Sequence, residues 1–365
     1  MNLQLLNEYT SHNLGDAVIY ETIAQLAAPR RVTTTLRDED GRFARGVVAG
    51  GPDLQASVHV SVGGDIFNNA RPRFMTRRFV HNLRALAAPD PARTFLFGQS
   101  IPHSCRGLSL QLLARVLRRL SSVTVRDADS AARLRALGVD ATLSWDLAFG
   151  YRPAPGCAAA GRALFARSGI DPARAVLLSV REFDAMYPQD SARFEARMAE
   201  LARLLHARGH APAVLVQATA AGADSDHAVA RRLRQAVPQL GLLDPFAVGA
   251  GHHPVDALVG ALAQARSVVA VRYHTAVLRL LAGRVPYSLH YSVKGADLAQ
   301  RLALPGDALD SFDPRTALVA IERSIGQAHD ASDQRTHVRH GFAQALGVAS
   351  GAHAFAATQR EFAIR

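Results

Sequence analysis

The sequence predicts an α/β protein of two Rossmann-like domains facing a cleft. Short apolar runs alternate with helical patterns, which is the grammar of a parallel sheet with crossover helices. The same grammar restarts in the second half. At 365 residues the chain is also too long for one ordinary core. The run 153–161, rich in Pro, Gly and Ala, divides the halves and reads as a linker.

In order, MNLQLLNEY reads as a strand, TSHNLGD as a loop, and AVIYETIAQLAA as a helix with Ile19, Ile23 and Leu26 on one side. SVHVSV (57–62), TFLFG (94–98), SVTVR (122–126) and ATLSW (141–145) read as strands separated by helices, and Gly138 as a helix stop. In the second half AVLLSVR (175–181) is a strand, 191–209 a helix ended by Gly209, and APAVLVQ (211–217) a strand. A helix near 224–236, the short strand GLLD, a helix at 255–265 and the strand SVVAVR (267–272) leading into a helix follow. The expected division is 1–152, a linker 153–172, 173–335, and a helical segment 336–365 able to pack back on the first domain.

Hydrophobic residues at 48% and charged residues at 20% describe a soluble globular chain. The opening residues lack a basic n-region and cleavage site, and apolar stretches are broken by Arg or His short of a membrane span. Cys105 and Cys157 form no CxxC pattern. A cytoplasmic protein is expected, at most peripherally associated with the inner face of the membrane. A net charge of +11 points to anionic partners: phosphorylated metabolites, nucleic acid or an acidic membrane. In RPRFMTRRFVHNLR (71–84), Arg71, Arg73, Arg77, Arg78 and Arg84 surround Phe74 and Phe79. This reads either as a helix with a basic outer stripe or as a landing surface for a phosphate-bearing or lipid-linked substrate.

Ligands of parallel sheets bind beyond the carboxyl ends of the strands. Arg126, Arg181 and Arg272 each follow an apolar strand directly. Asp127 and Glu182 adjoin the first two as possible structural partners, whereas Arg272 has no acid beside it. Lys294 is the one lysine among 42 cationic residues, and an ammonium differs from a guanidinium in having an adjustable pKa. It closes a segment, 267–295, that contains Arg272 and His274 and no acid before Asp297. NLGD (13–16) opens a helix with Asp16 in its first turn. GGD (63–65) and GQSIPHS (98–104) are strand-end loops that bring Gly64, Asp65 and Gln99 to the same level. There is no GxGxxG and no P-loop. His252 and His253 are adjacent and point apart, and His206 and His210, though four residues apart, have the helix stop Gly209 between them, so no metal is expected.

These segments together resemble the polysaccharide pyruvyl transferase family. The resemblance rests on VRD-x2-S-x3-L-x2-LGV with the D-x-AF that follows it, and on RYH-x11-P-x4-Y-x2-K, with NLGD and GGD as weaker parts. It runs from about Asn13 to Lys294 and departs at GGD, where the family continues with a third Gly. It implies a GT-B-like fold and transfer of a pyruvyl group from phosphoenolpyruvate to two hydroxyls of a sugar, forming a cyclic ketal. It also implies functional roles for Asp16, Arg126, Arg272, His274 and Lys294.

On that footing His274, Lys294 and Asp16 are the expected catalytic groups, able to give or take a proton. Arg126, Arg272, Arg181 and Lys294 are expected to bind the donor anion, and Asp16, Gly64, Asp65 and Gln99 the acceptor. No cofactor is expected beyond phosphoenolpyruvate as co-substrate. The acceptor is a sugar of a cell-surface glycan or its precursor, either soluble or lipid-linked and anionic. A GT-B glycosyltransferase using a nucleotide sugar is the alternative, disfavoured because 267–295 offers no acid for donor hydroxyls. A polyanion-binding module is disfavoured by the lack of aromatics among the basic residues, and no nucleic-acid partner is expected.

Overall fold

The computed structural model describes residues 2–53, 55–62, 64–70, 75–183, 189–220 and 225–351. The chain forms two compact units. One takes the chain up to Thr10, Ile19–Tyr151 and the chain from Asp333; the other takes Ser11–Val18 and Arg152–Ser332.

The first unit contains β1 (Asn2–Leu6), most of α1 (Leu14–Ala27), β2 (Arg31–Thr34), α2 (Asp38–Gly41), β3 (Val47–Ala49) and β4 (Val58–Ser61). It continues with α3 (Arg77–Ala87), β5 (Thr94–Gln99), α4 (Leu108–Leu117), β6 (Ser122–Val125), α5 (Ala128–Arg135) and β7 (Ala141–Leu143). Its seven strands are parallel in the order β3-β2-β1-β4-β5-β6-β7. Phe79 and Leu86 of α3, Leu113 and Leu117 of α4 and Leu134 of α5 join Leu96, Val123 and Val125 in one buried core. Burying each such side chain is worth about 1.5–3 kcal/mol.

The second unit contains α6 (Cys157–Ser168), β8 (Ala175–Ser179), α7 (Ser191–Ala207), β9 (Ala211–Leu215), α8 (Asp226–Ala236), β10 (Gly241–Leu243) and α9 (Pro254–Gln264). It closes with β11 (Ser267–Ala270), α10 (Tyr273–Leu281), β12 (Tyr287–His290), α11 (Val293–Arg301), β13 (Gly306–Ala308) and α12 (Pro314–Ser324). Its six parallel strands run β10-β9-β8-β11-β12-β13. Helix α13 (Ser332–Ala349) belongs to the first unit, where Phe342 stands edge-on to Phe95 and Phe97 at 5.5 Å from each.

In both units the strand order reverses once, between β1 and β4 and between β8 and β11. Such a switch point leaves a crevice at the carboxyl edge, because the flanking loops diverge to opposite faces of the sheet.

The run read as a linker is instead the helix α6, packed on α9. Its small residues serve close helix contact rather than chain flexibility. A methyl placed on Gly260 would strike the carbonyl of Cys157, and one on Gly161 would strike the backbone of Gly260. Strands β2, β3, β12 and β13 are further elements that no apolar run in the sequence announced.

Candidate functional site

At the carboxyl edge of the second sheet, β11 ends at Ala270 and α10 begins at Tyr273, so Arg272 is the helix N-cap residue and His274 lies in the first turn. The backbone N–H of Arg272 donates to Ser179 Oγ at 3.0 Å, which ties this turn to the end of β8. Thr275 Oγ1 bonds Ser179 Oγ at 3.1 Å and donates to Gln217 Oε1. Three strand ends are thereby braced through buried hydroxyl and amide groups.

Arg272 is buried and does have an acid: Nε and Nη2 donate to Asp226 at 3.0 and 2.6 Å. Asp226 opens α8 and also accepts the amide N–H groups of Gln217 and Ala218 at 2.8 and 3.0 Å. Burial pushes its carboxyl above the ordinary value, while the Arg272 guanidinium and the two amides pull it back. The expectation of cations without an acid is therefore corrected. The acid comes from another helix, 46 residues away.

Arg181, which follows β8, does not pair with the neighbouring Glu182 carboxylate. Its Nη1 donates to Tyr291 Oη at 2.5 Å, its guanidinium lies over the Tyr291 ring at 5.1 Å, and Glu182 pairs with Arg232. Lys294, in the first turn of α11, sets its Nζ 5.8 Å from the centre of the Tyr273 ring. That ring stands edge-on to His274 at 5.6 Å, so one aromatic links the imidazole and the ammonium. Arg181, Lys294 and Tyr273 are half-buried, and His274 is buried.

The NLGD turn belongs to this same unit rather than to the first. Asn13 bridges Ala218, and the N–H of Leu14 donates to the carbonyl of Gln217 at 2.9 Å, which stitches the turn to the β9–α8 connection. Gly15 then lies against His274 with no room for a side chain: a Cβ there would be 2.8 Å from both Cβ and Cγ of the imidazole. Asp16, buried in the first turn of α1, is grouped with His274 and not with the first unit's edge.

The edge of the first sheet is built differently. Arg126, after β6, is buried and donates from Nε to Ser100 Oγ at 2.8 Å, from Nη1 to Asp146 at 2.6 Å and from Nη2 to Asp65 at 3.2 Å. The expected neighbour Asp127 instead caps α5 by accepting the N–H of Ser130. A guanidinium held by two carboxylates is a brace, and an anionic donor would have to displace one of them. Gly64 lies beside this guanidinium, 3.5 Å from it to a Cβ placed there. Gln99, expected to contact a substrate, is fully buried; its Nε2 donates to Ser61 Oγ at 3.0 Å, and Asn7 Nδ2 donates to the same oxygen at 2.8 Å. Gln99 therefore supports the edge from beneath.

His253 caps α9, and His210 approaches Glu322 at 3.4 Å. Among the described residues no group of three His, Cys, Asp or Glu side chains gathers as a metal site, and no helix is long and apolar enough to cross a membrane. Sequence reasoning missed Asp226, and it carried Tyr273, Tyr291 and Asp146 as motif residues without their partners. An Asp at a helix start was the only signal for the first of these, and nothing along the chain pointed to Arg272 as its partner.

No curated protein matches the chain in sequence. Among solved structures, the UDP-GlcNAc 2-epimerase of Methanocaldococcus jannaschii superposes with a TM-score of 0.54 at 9% identity, over 93% of this chain and 99% of that one. HepE of Anabaena, solved with UDP and glucose, gives 0.51 at 11% identity, over 96% and 95%. At such identity the likeness is one of fold, two Rossmann-like halves of the GT-B kind. The polysaccharide pyruvyl transferase profile matches residues 10–292, which takes in NLGD, GGD, Arg126, Arg272 and His274 and stops just short of Lys294. With most of its length covered, and with the motif residues of that match gathered at two strand-end edges, the chain belongs to the polysaccharide pyruvyl transferase family.

Proposed function

We propose that the protein transfers the pyruvyl group of phosphoenolpyruvate to two hydroxyls of one sugar unit of a cell-surface glycan or its precursor, releasing phosphate and leaving a cyclic ketal. The observation that carries this reading is the clustering of Arg181, His274 and Lys294 at the carboxyl edge of the second sheet, around a braced Arg272. Phosphoenolpyruvate carries a phosphate and a carboxylate on a small frame, and half-buried cations suit both.

The chemistry assigns roles to these groups. The methylene carbon gains a proton, from His274 or Lys294, and the adjacent carbon becomes oxocarbenium-like. One sugar hydroxyl adds to it, the phosphate leaves with its bridging oxygen, and the second hydroxyl closes the ring. Two hydroxyl protons are lost, one proton is gained at carbon, and the phosphate carries the remainder of the balance. Asp16, beside Gly15 and His274, is the candidate base. Arg181 and Lys294 meet the donor anion, with Arg272 holding the end of β8 beside Arg181 through the carbonyl of Val180. At the first unit's edge Asp65, braced by Arg126 next to Gly64, is the carboxylate offered to acceptor hydroxyls.

The test is incubation with phosphoenolpyruvate and a panel of sugar acceptors in heavy water. Phosphate release with one acceptor class, and a product bearing a pyruvyl ketal with solvent deuterium in its methyl group, supports the proposal. An acceptor that gains a phosphate, or a hexose from a nucleotide sugar, refutes it.

A further inference from the structure

The outer side of α3 and α4 in the first unit carries charge and apolar surface that the transfer reaction does not use. Between Met75 and Leu120 the sequence holds eight arginines and one acid, Asp90, so +8 − 1 = +7 of the chain's +11 lies here. Helix α3 buries Phe79, Asn82 and Leu86. At 100° per residue Arg77, His81 and Arg84 point the opposite way, and all three are exposed. Helix α4 buries Ser109, Leu113, Ala114 and Leu117, which turns Leu108 and Arg115 outward in the same manner, and Arg119 is exposed just past its end. Leu108 is 62% exposed, the highest value among the exposed large hydrophobics of the described residues.

The two helices are neighbours on one core. Among the described residues Arg77, Arg84, Arg106, Arg115 and Arg119 have no carboxylate partner. In the second unit some exposed arginines are paired, as in Arg208–Glu322 and Arg232–Glu195, and others, Arg193, Arg315 and Arg323 among them, are not. Of the cluster seen in the sequence, Arg71, Arg73 and Phe74 lie outside the described residues.

We infer that this face seats the protein on a bilayer carrying anionic lipids, with the arginines against headgroup phosphates and Leu108 entering the acyl boundary. Charge complementarity selects an anionic partner. The apolar component is an aliphatic side chain at a helix start, which suits lipid, whereas a nucleic-acid groove interleaves aromatic rings for base stacking. Both helices begin at the carboxyl edge of their sheet, the edge that carries Asp65, so a lipid-linked sugar in the same bilayer lies close to it. The inference does not depend on which donor the enzyme uses.

The experiment is co-sedimentation of the full chain with phosphatidylglycerol-containing vesicles and with pure phosphatidylcholine vesicles, at low and high salt. The triple variant Arg77→Glu, Arg84→Glu, Arg115→Glu is compared with a control triple of equal charge change on exposed arginines of the second unit, Arg193→Glu, Arg315→Glu, Arg323→Glu. Thermal unfolding checks that each variant is folded. The wild type is expected to bind the anionic vesicles, the first triple to lose about a hundredfold or more in partitioning, and the control only a few-fold. Leu108→Asn should remove the part of binding that survives high salt. No wild-type binding, or equal loss in both triples, overturns the inference. So does tighter binding to duplex DNA than to vesicles with parallel loss in the first triple. Where the wild type releases phosphate from phosphoenolpyruvate with a soluble acceptor, the first triple should do so at the same rate, and a selective loss there also overturns the inference.

Discussion

In the first unit the arginine that follows β6 meets two carboxylates; in the second the arginine that follows β11 meets one. Both sheets share a strand order and a switch point, and both place a buried guanidinium at the carboxyl edge. The surroundings differ in sign. Arg126 with Asp65 and Asp146 sums to −1, beside the uncharged set Asn7, Ser61 and Gln99. Among the groups named above, Arg272, Arg181 and Lys294 against Asp226 and Asp16 sum to +1, beside His274. The difference teaches that an arginine at a strand end does not by itself mark an anion site. What matters is the charge left over after its own carboxylates are counted, and that surplus sits in the second unit.

The largest expected effect tests the proton chemistry beside that surplus rather than its charge. His274→Ala and Lys294→Arg should each lower kcat by about 10²–10⁴-fold, with the thermal unfolding midpoint close to wild type. Near-wild-type turnover in the Lys294→Arg protein would show that charge alone suffices there.

Next comes stability. Asp226→Ala leaves the Arg272 charge buried without a carboxylate and should cost about 3–5 kcal/mol. Asp65→Ala leaves Arg126 still paired with Asp146 and should cost about 1 kcal/mol. Denaturant unfolding of the two variants reads the contrast, and equal costs would break it.

A smaller effect is expected on donor affinity. Arg181→Ala removes a half-buried cation of the second edge and should weaken phosphoenolpyruvate binding about tenfold or more. Asp65→Ala should leave it unchanged. Calorimetric titration in which the two variants fall together would deny the division of labour between the edges.

The smallest concerns acid. Burial lowers the pKa of His59 in the first unit and of His290 in the second below the ordinary 6.5. A base whose folded pKa is depressed contributes stability that is fully present above its unfolded pKa and is lost as pH falls through 6.5 and below. His59 is completely buried, whereas His290 is half-buried with Asp307 and Asp310 favouring its charged form. Between pH 7.5 and 5.5 the unfolding midpoint should therefore fall less in His59→Gln than in wild type, and His290→Gln should change that slope less.

The sheets were legible in the sequence because most of their strands are apolar runs bounded by turn residues. Positions 13–16, 126, 272, 274 and 294 stood out because they sit at the ends of those runs or within motifs. Partners did not stand out. Asp226 is 46 residues from Arg272, and Asp65 is 61 residues from Arg126, and a reading along the chain sees acids only when they are adjacent. The helix α6 was misread for a related reason: Gly161 and its alanines look like a linker until Gly260 lies against them. The position of Asp16 was misassigned because the turn before α1 is held by the connection between β9 and α8, which comes some 200 residues later in the chain.

Gly15 has a use in sorting relatives of this protein. Because the hydrogen that stands in place of a side chain there faces the imidazole directly, a relative that keeps the histidine but carries alanine at this position must have moved the ring or lost the turn. Retention of the histidine is then no evidence of a working enzyme, whereas the glycine is informative: a missing methyl group reports on the health of a residue more than two hundred positions away.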